Sequence, residues 1–261
     1  MTTIDFITDL FCRVDDEMKN TKKHSQALLY PSEVVSLALL HALKGVGNRA
    51  FYRWLTRDYR LLFPNLPERT RLFRLFKTHQ NWAKKFLATP TLLGVVDSYG
   101  IELIHPIREG RSSNQIGKKG ISNHRWIVGS KLCLLLNHLG EIIAWSWASA
   151  NTHDSHFHDI IEQFKADSVI FSDTAFHAAQ GDPENLKCCK RGTWNDRMLV
   201  ETVFSMLTTV CHFKKCSQRV SEYIQSRLAF SVALFNLLIK WFEFKADESG
   251  FVPLSIAQFN L

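Results

Sequence analysis

The run Leu92-Leu93-Gly94-Val95-Val96-Asp97-Ser98-Tyr99-Gly100-Ile101-Glu102-Leu103-Ile104 constrains this chain more than any other stretch. It is apolar, rich in β-formers, and bounded by Pro90 and by His105-Pro106, which predicts a buried strand. A carboxylate in the middle of such a strand is costly unless something compensates it. Asp97 is therefore a capping residue, one half of a buried ion pair, or a metal ligand. Glu102, five residues on, points to the opposite face and reads as a surface or paired acid.

Two more acids raise the same question. The short apolar strand Val169–Ser172 ends in Asp173, which is either the N-cap of the next segment or a second ligand. Between Asn195 and Phe213 the residues Arg197, Glu201, Ser205, Thr208 and His212 recur at helical spacing, with apolar residues elsewhere. They predict a helix whose polar stripe faces a cleft with Glu201 at its centre. Pairing with Arg197 one turn earlier is the plainer role for Glu201.

The intervening segments give the order of elements. His105–Arg125 reads as a basic loop loosened by Gly110, Gly117 and Gly120. Trp126–Leu136 and Glu141–Trp147 face each other across Asn137-His138-Leu139-Gly140 as a hairpin, with Trp145 and Trp147 on one face as core residues. A helix over about 155–166 follows, with Asp154 or Ser155 as its cap. Strand, hairpin, helix, strand and helix make an α/β unit over 91–245: a mixed sheet with flanking helices. Residues 1–90 read as a small all-helical domain, with helices at Thr3–Met18, from Pro31 to Gly45, over Asn48–Tyr59 and from Pro67 onward. Residues 246–261 form a tail.

Charge separates the two parts. Of 32 Lys/Arg and 25 Asp/Glu, residues 1–90 hold fifteen and eight, and the remainder holds seventeen of each. The whole net charge of +7 therefore belongs to the helical third, with Arg69, Arg71 and Arg74 on one predicted helix. That asymmetry points to a polyanion such as double-stranded DNA and to a helix-turn-helix-like reader. The six cysteines match no zinc-ligand framework. The most apolar segment, Leu228–Ile239, is too short and too interrupted, by Ser231 and Asn236, to span a bilayer. With no leader pattern at Met1–Asp5, the expectation is a cytoplasmic protein without a membrane partner.

If Asp97, Asp173 and Glu201 converge, their repulsion is relieved by a hard divalent cation. Oxygen ligands suit Mg2+ or Mn2+, and two such ions serve phosphodiester displacement. Lys131, Arg197, Lys118 and Lys119 are the basic groups placed to hold phosphates; Lys131 also reads as a strand lysine in solvent.

Val95-Val96-Asp97-Ser98, Gly129-Ser130-Lys131-Leu132, Asn151-Thr152-His153-Asp154, Phe171-Ser172-Asp173-Thr174 and Trp194–Glu201 together resemble the DDE transposases of bacterial insertion sequences. The resemblance runs over Leu92–Phe244 and extends to the N-terminal helices and the Phe251–Ile256 segment. It implies a ribonuclease-H-like catalytic core in which Asp97, Asp173 and Glu201 hold two metal ions. It further implies cleavage at transposon ends, with the released 3′-hydroxyls joined to target DNA by a homo-oligomer on paired ends. The nucleoid would be its location, and His153 and Asp154 would border the active site. In a related group, a signature of Tyr, Arg, Glu and Lys accompanies hairpin intermediates. Here that register reads Trp194, Arg197, Glu201 and Thr208, so the Lys is absent. A transposase-derived DNA-binding protein without chemistry, or a nuclease of generic specificity, are the competing readings.

Overall fold

The computed structural model describes residues 2–122, 125–190, 197–213, 216, 218 and 220–242, without the side chains of 197, 198 and 242. The chain begins with four helices: α1 (Thr3–Glu17), α2 (Pro31–Lys44), α3 (Asn48–Asp58) and α4 (Arg69–Thr78). The first two starts follow from local chemistry. Thr2 and Asp5 exchange side-chain and backbone hydrogen bonds as a capping box on α1. Pro31 opens α2, and the Glu33 carboxylate accepts the Tyr30 N–H at 2.6 Å. Gly45 closes α2 in the left-handed region at φ 63°, with the His212 ring packed against the position a Cβ would occupy.

The second part is a six-stranded mixed sheet: β1 (Leu93–Ile104), β2 (Lys118–Ser122), β3 (Arg125–Asn137), β4 (Ile142–Ser149), β5 (Val169–Asp173) and β6 (Leu186–Cys189). Its order is β2-β3-β1-β5-β6, and β4 also pairs with β3. β1 runs antiparallel to β3 and parallel to β5, and β6 is parallel to β5. One edge of β3 is shared lengthwise, Arg125–Gly129 pairing with β2 and Ser130–Leu136 with β4. The expected hairpin is thus present. Gly129 lets β3 lie close against β1, because a Cβ there would run into the backbone of Ile101.

Three sequence expectations need correction. The stretch read as a loop before Arg125 contains β2, held by pairing with the first third of β3. The helix expected over about 155–166 is a single 3-10 turn, Asp154–Phe157, followed by the short α5 (His158–Glu162). After Asp173 the chain makes another 3-10 turn, Thr174–Phe176, and then adds β6 before any helix. β6 has only four residues, too few for a periodic signal, and it exists because β5 offers it a parallel edge.

Helices α6 (Arg197–Val210) and α7 (Ser221–Phe242) complete the fold. One apolar core joins α1, α2, α3, α4, α6 and α7 to one sheet face, which presents Val95, Ile101, Leu132, Leu134 and Leu136. It runs across residue 90, where helices give way to strands. A smaller core fills the other face around Val96, Cys133, Leu135, Phe157, Ile161 and Phe176. Asn236, a polar interruption in the most apolar segment, has a structural use. Its side chain accepts the Ile142 N–H at 2.8 Å and donates to Ile142 O and Phe86 O at 2.7 and 2.9 Å. A buried strand end is thereby satisfied from a helix. No described helix is long and apolar enough to cross a membrane.

Candidate active site

Parallel pairing brings the first two acids to one level. Leu93, Gly94 and Val95 pair with Val169, Ile170 and Phe171, an offset of 76. Asp97 and Asp173 have the same offset, two residues beyond the last pair. Alternation puts both on the face of Val95 and Phe171, towards α6, at the carboxyl end of the parallel pair. Open α/β sheets place their ligands at that end. Both carboxylates are half-buried. Each also makes the local hydrogen bond its sequence context allows: Asp97 Oδ1 accepts the Ser98 N–H at 2.7 Å, and Asp173 Oδ1 accepts the Ala175 N–H at 2.9 Å, capping its turn. The capping roles are real and coexist with the juxtaposition.

Glu201 lies in the first half of α6, whose buried side carries Val200, Val203, Phe204 and Leu207. Phe204 stacks on Tyr99 with ring centroids 5.4 Å apart. Tyr99 shares its strand face with Asp97, and Glu201 stands one turn before Phe204, so this stack fixes the helix beside the acids. Glu201 and Ser205 are exposed and Thr208 is half-buried, so the polar stripe lies on the outer side of α6. Among the described residues no group of three or more His, Cys, Asp or Glu side chains is gathered closely enough to hold a metal ion. Strand register joins Asp97 to Asp173; helix packing relates Glu201 to them.

Behind the acids, on the other face of β1, stands a cluster that spacing alone did not assemble. Lys131 Nζ donates to Asp154 Oδ1 and to the Thr152 carbonyl, each at 2.9 Å, and the Ser98 hydroxyl donates to the same Asp154 oxygen at 2.6 Å. Both charged side chains are only 14% exposed. Ser98 therefore ties Asp97, through its backbone N–H, to the Lys131–Asp154 pair, through its hydroxyl. The neighbouring Cys133 thiol is pushed well up by burial, with Asp154 and Asp97 adding to the effect. The sequence signal for Asp154 was its place in the Asn151–Asp154 motif. His153, and not Asp154 or Ser155, caps the following turn.

The other expected DNA-contacting residues lie apart from this end of the sheet. Lys118 and Lys119 are exposed on β2, and Lys119 Nζ lies 5.1 Å from the Trp126 ring across the ribbon. Ile121 and Trp126, paired across the two strands, are themselves exposed. Arg69, Arg71 and Arg74 project from α4 into solvent. Arg197 begins α6, its side chain outside the described residues, as are Trp194 and the expected tail. Glu102 lies 3.7 Å from Arg125, the paired alternative of the two expected for it, and Trp145 and Trp147 pack against the main core.

A family model described as a transposase DDE domain matches residues 87–180. The match covers just over a third of the chain and takes in Asp97, Lys131, Asp154 and Asp173, while Glu201 lies beyond it. It supports a DDE-type transposase acting on DNA. No curated protein matches the chain.

Proposed function

We propose that this protein is a DNA transposase of the insertion-sequence type, which cleaves transposon ends and joins their 3′-hydroxyls to target DNA. The observation that carries the reading is the shared level of Asp97 and Asp173 on adjacent parallel strands, inside the segment matched by the DDE-domain model. The strand order, with β4, β3 and β1 antiparallel and β1, β5 and β6 parallel, supports a ribonuclease-H-like core.

The donor set suits a hard divalent cation: two carboxylates side by side at a strand end, with a third acid on the helix packed beside them. Asp97, Asp173 and Glu201 would hold Mg2+ or Mn2+, and two ions are the natural number for this chemistry. Bound there, the metal supplies Lewis acidity at the phosphodiester and lowers the pKa of the attacking hydroxyl. The chain's own contribution is placement. The Ser98 N–H holds one oxygen of Asp97 and the Ala175 N–H one oxygen of Asp173, which restrains both carboxylates. The Lys131–Asp154 pair holds Ser98 from behind. Duplex DNA, as transposon ends and as target, would lie along the exposed basic groups of β2 and α4, with Arg197 at the start of α6. Assembly as a homo-oligomer on paired ends, in the nucleoid, belongs to the same reading.

The test is strand transfer with the element's terminal DNA and Mn2+. Wild-type protein is expected to give nicked and joined products, and Asp97→Asn and Asp173→Asn to lower the rate by at least about a thousandfold. Sequence-selective binding with no metal-dependent product from the wild type would identify a DNA-binding protein without chemistry instead.

A further inference from the structure

The helical part contains a second site, distinct from the acids. Arg227, on α7, is 6% exposed. Its Nε has no hydrogen-bond partner among the described residues, and its guanidinium reaches only the Cys216 thiol as a side-chain partner there. No Asp or Glu among the described residues pairs with it. The acid of the first turn of α7, Glu222, is engaged by Lys77 at 2.8 Å. A buried guanidinium without a counter-charge is costly. It lines a cavity of about 160 Å3, several times the roughly 30 Å3 share of one water.

The surroundings are arranged for an anion. The cavity shares Asn48, Phe73 and Tyr223 with a surface groove that also carries Arg49, Arg69 and Thr70. Asn48–Arg49 and Arg69–Thr70 are the first two residues of α3 and α4, and Tyr223 is in the first turn of α7. Three helix N-termini therefore meet at one groove. Neither α3 nor α4 has a side-chain hydrogen bond at its cap, which leaves first-turn N–H groups and the positive dipole ends available to a ligand. His41 also lines the cavity, and burial beside Arg227 holds it neutral, its pKa lowered to about 3. It adds no charge and donates to the Val46 carbonyl, 3.1 Å from Nε2.

We propose that this junction is a phosphate-type oxyanion site, with Arg227 at its base and Arg49 and Arg69 at its mouth. A guanidinium fork and convergent backbone N–H groups fit a tetrahedral oxyanion. The site takes a phosphate of the DNA backbone, a source that rests on the proposed function; free inorganic phosphate offers the same chemistry. It would anchor DNA away from the cleavage centre and fix register without reading sequence.

Thermal unfolding of the full-length protein, titrated with inorganic phosphate and balanced with chloride at constant ionic strength, tests the site without any need for strand transfer. Wild-type protein is expected to be stabilised by phosphate beyond chloride, and Arg227→Gln to weaken that response about tenfold or more. An absent phosphate-specific rise, or an equal rise in Arg227→Gln, overturns the site. Should that variant fail to fold, the exposed Arg69→Gln replaces it: a response weakened about threefold supports the site, and an unchanged one overturns it. A second arm distinguishes the sources. At constant ionic strength, phosphate should displace duplex DNA from wild type more strongly than from Arg227→Gln. Phosphate binding without that competition overturns the DNA assignment and leaves a site for the free anion, whatever the outcome at Asp97.

Discussion

Two buried cations of this molecule are treated differently. Lys131 is enclosed by its own fold: Asp154 and the Thr152 carbonyl accept its hydrogen bonds, and the Ser98 hydroxyl donates to the same Asp154 oxygen. Arg227 is more deeply buried, and the described residues offer it a thiol and no carboxylate. A cation compensated internally serves the arrangement of its neighbours, here the strand that carries Asp97. One to which the described residues offer no counter-charge, beside an open groove, is equipped for a ligand from outside. The contrast separates a group that supports the proposed catalytic end from one at the proposed oxyanion site, although the sequence offers both simply as basic residues in mixed surroundings.

The largest expected effect probes the Arg227 end through pH. Burial, and then the charge of Arg227, hold His41 neutral with a pKa of about 3 against an ordinary 6.5. Above pH 6.5 neither the folded nor the unfolded state binds this proton. As pH falls, the unfolded chain takes it up and the folded one does not, so stability drops progressively, by up to about 5 kcal/mol near pH 3. At pH 5 the loss from this group is about 2 kcal/mol relative to pH 7. Urea unfolding at both pH values should show it, and His41→Phe should remove that part of the difference.

Next comes the enclosed pair. Asp154→Ala leaves Lys131 buried without its partner and should cost about 3–5 kcal/mol. The double change Asp154→Leu with Lys131→Met should recover most of that stability. Both should depress strand transfer, because Ser98 loses the acceptor that anchors it beside Asp97. If Asp154→Ala alone is within about 0.5 kcal/mol of wild type in denaturant unfolding, Lys131 is not enclosed as described and the contrast with Arg227 fails.

Asn236→Leu comes third. It strips the Ile142 N–H of its acceptor and the Phe86 carbonyl of its side-chain donor, while the Ile142 carbonyl keeps the Ala88 N–H, and should cost about 1–3 kcal/mol, measurable by the same unfolding curves. The smallest effect belongs to the exposed ribbon. Lys119→Ala removes one cation over Trp126, and should change stability by no more than about 1 kcal/mol. It should also weaken duplex binding and lower the salt dependence of that binding by about one counterion. An undiminished salt slope would remove β2 from the DNA-facing surface.

Much of this was legible along the chain. β1, the β3–β4 hairpin, β5 and α6 announce themselves through alternation or helical spacing, and α2 through Pro31 and Gly45, because those signals are local. β2 and β6 were not legible. β2 has glycine and lysines where a strand signal would need apolar alternation, and β6 is four residues long; both are strands because a neighbour presents an edge. The polar stripe on α6 was read correctly as a stripe, but its outward aspect depends on which side of the helix the sheet and α7 occupy.

The sequence by itself determined that Asp97 and Asp173 each end or interrupt an apolar strand, since a carboxylate in such a run is conspicuous wherever the strand goes. It also concentrated the net positive charge in the first third of the chain. Only the tertiary structure decided that the two acids share a level, because register is set by pairing between segments 76 residues apart. Packing likewise decided which basic residues are spoken for. Lys131 finds Asp154 across 23 positions, while Arg227 comes to lie under the N-termini of α3 and α4, more than 150 residues away. Burial and partnership are properties of distance in space, and no local pattern encodes them.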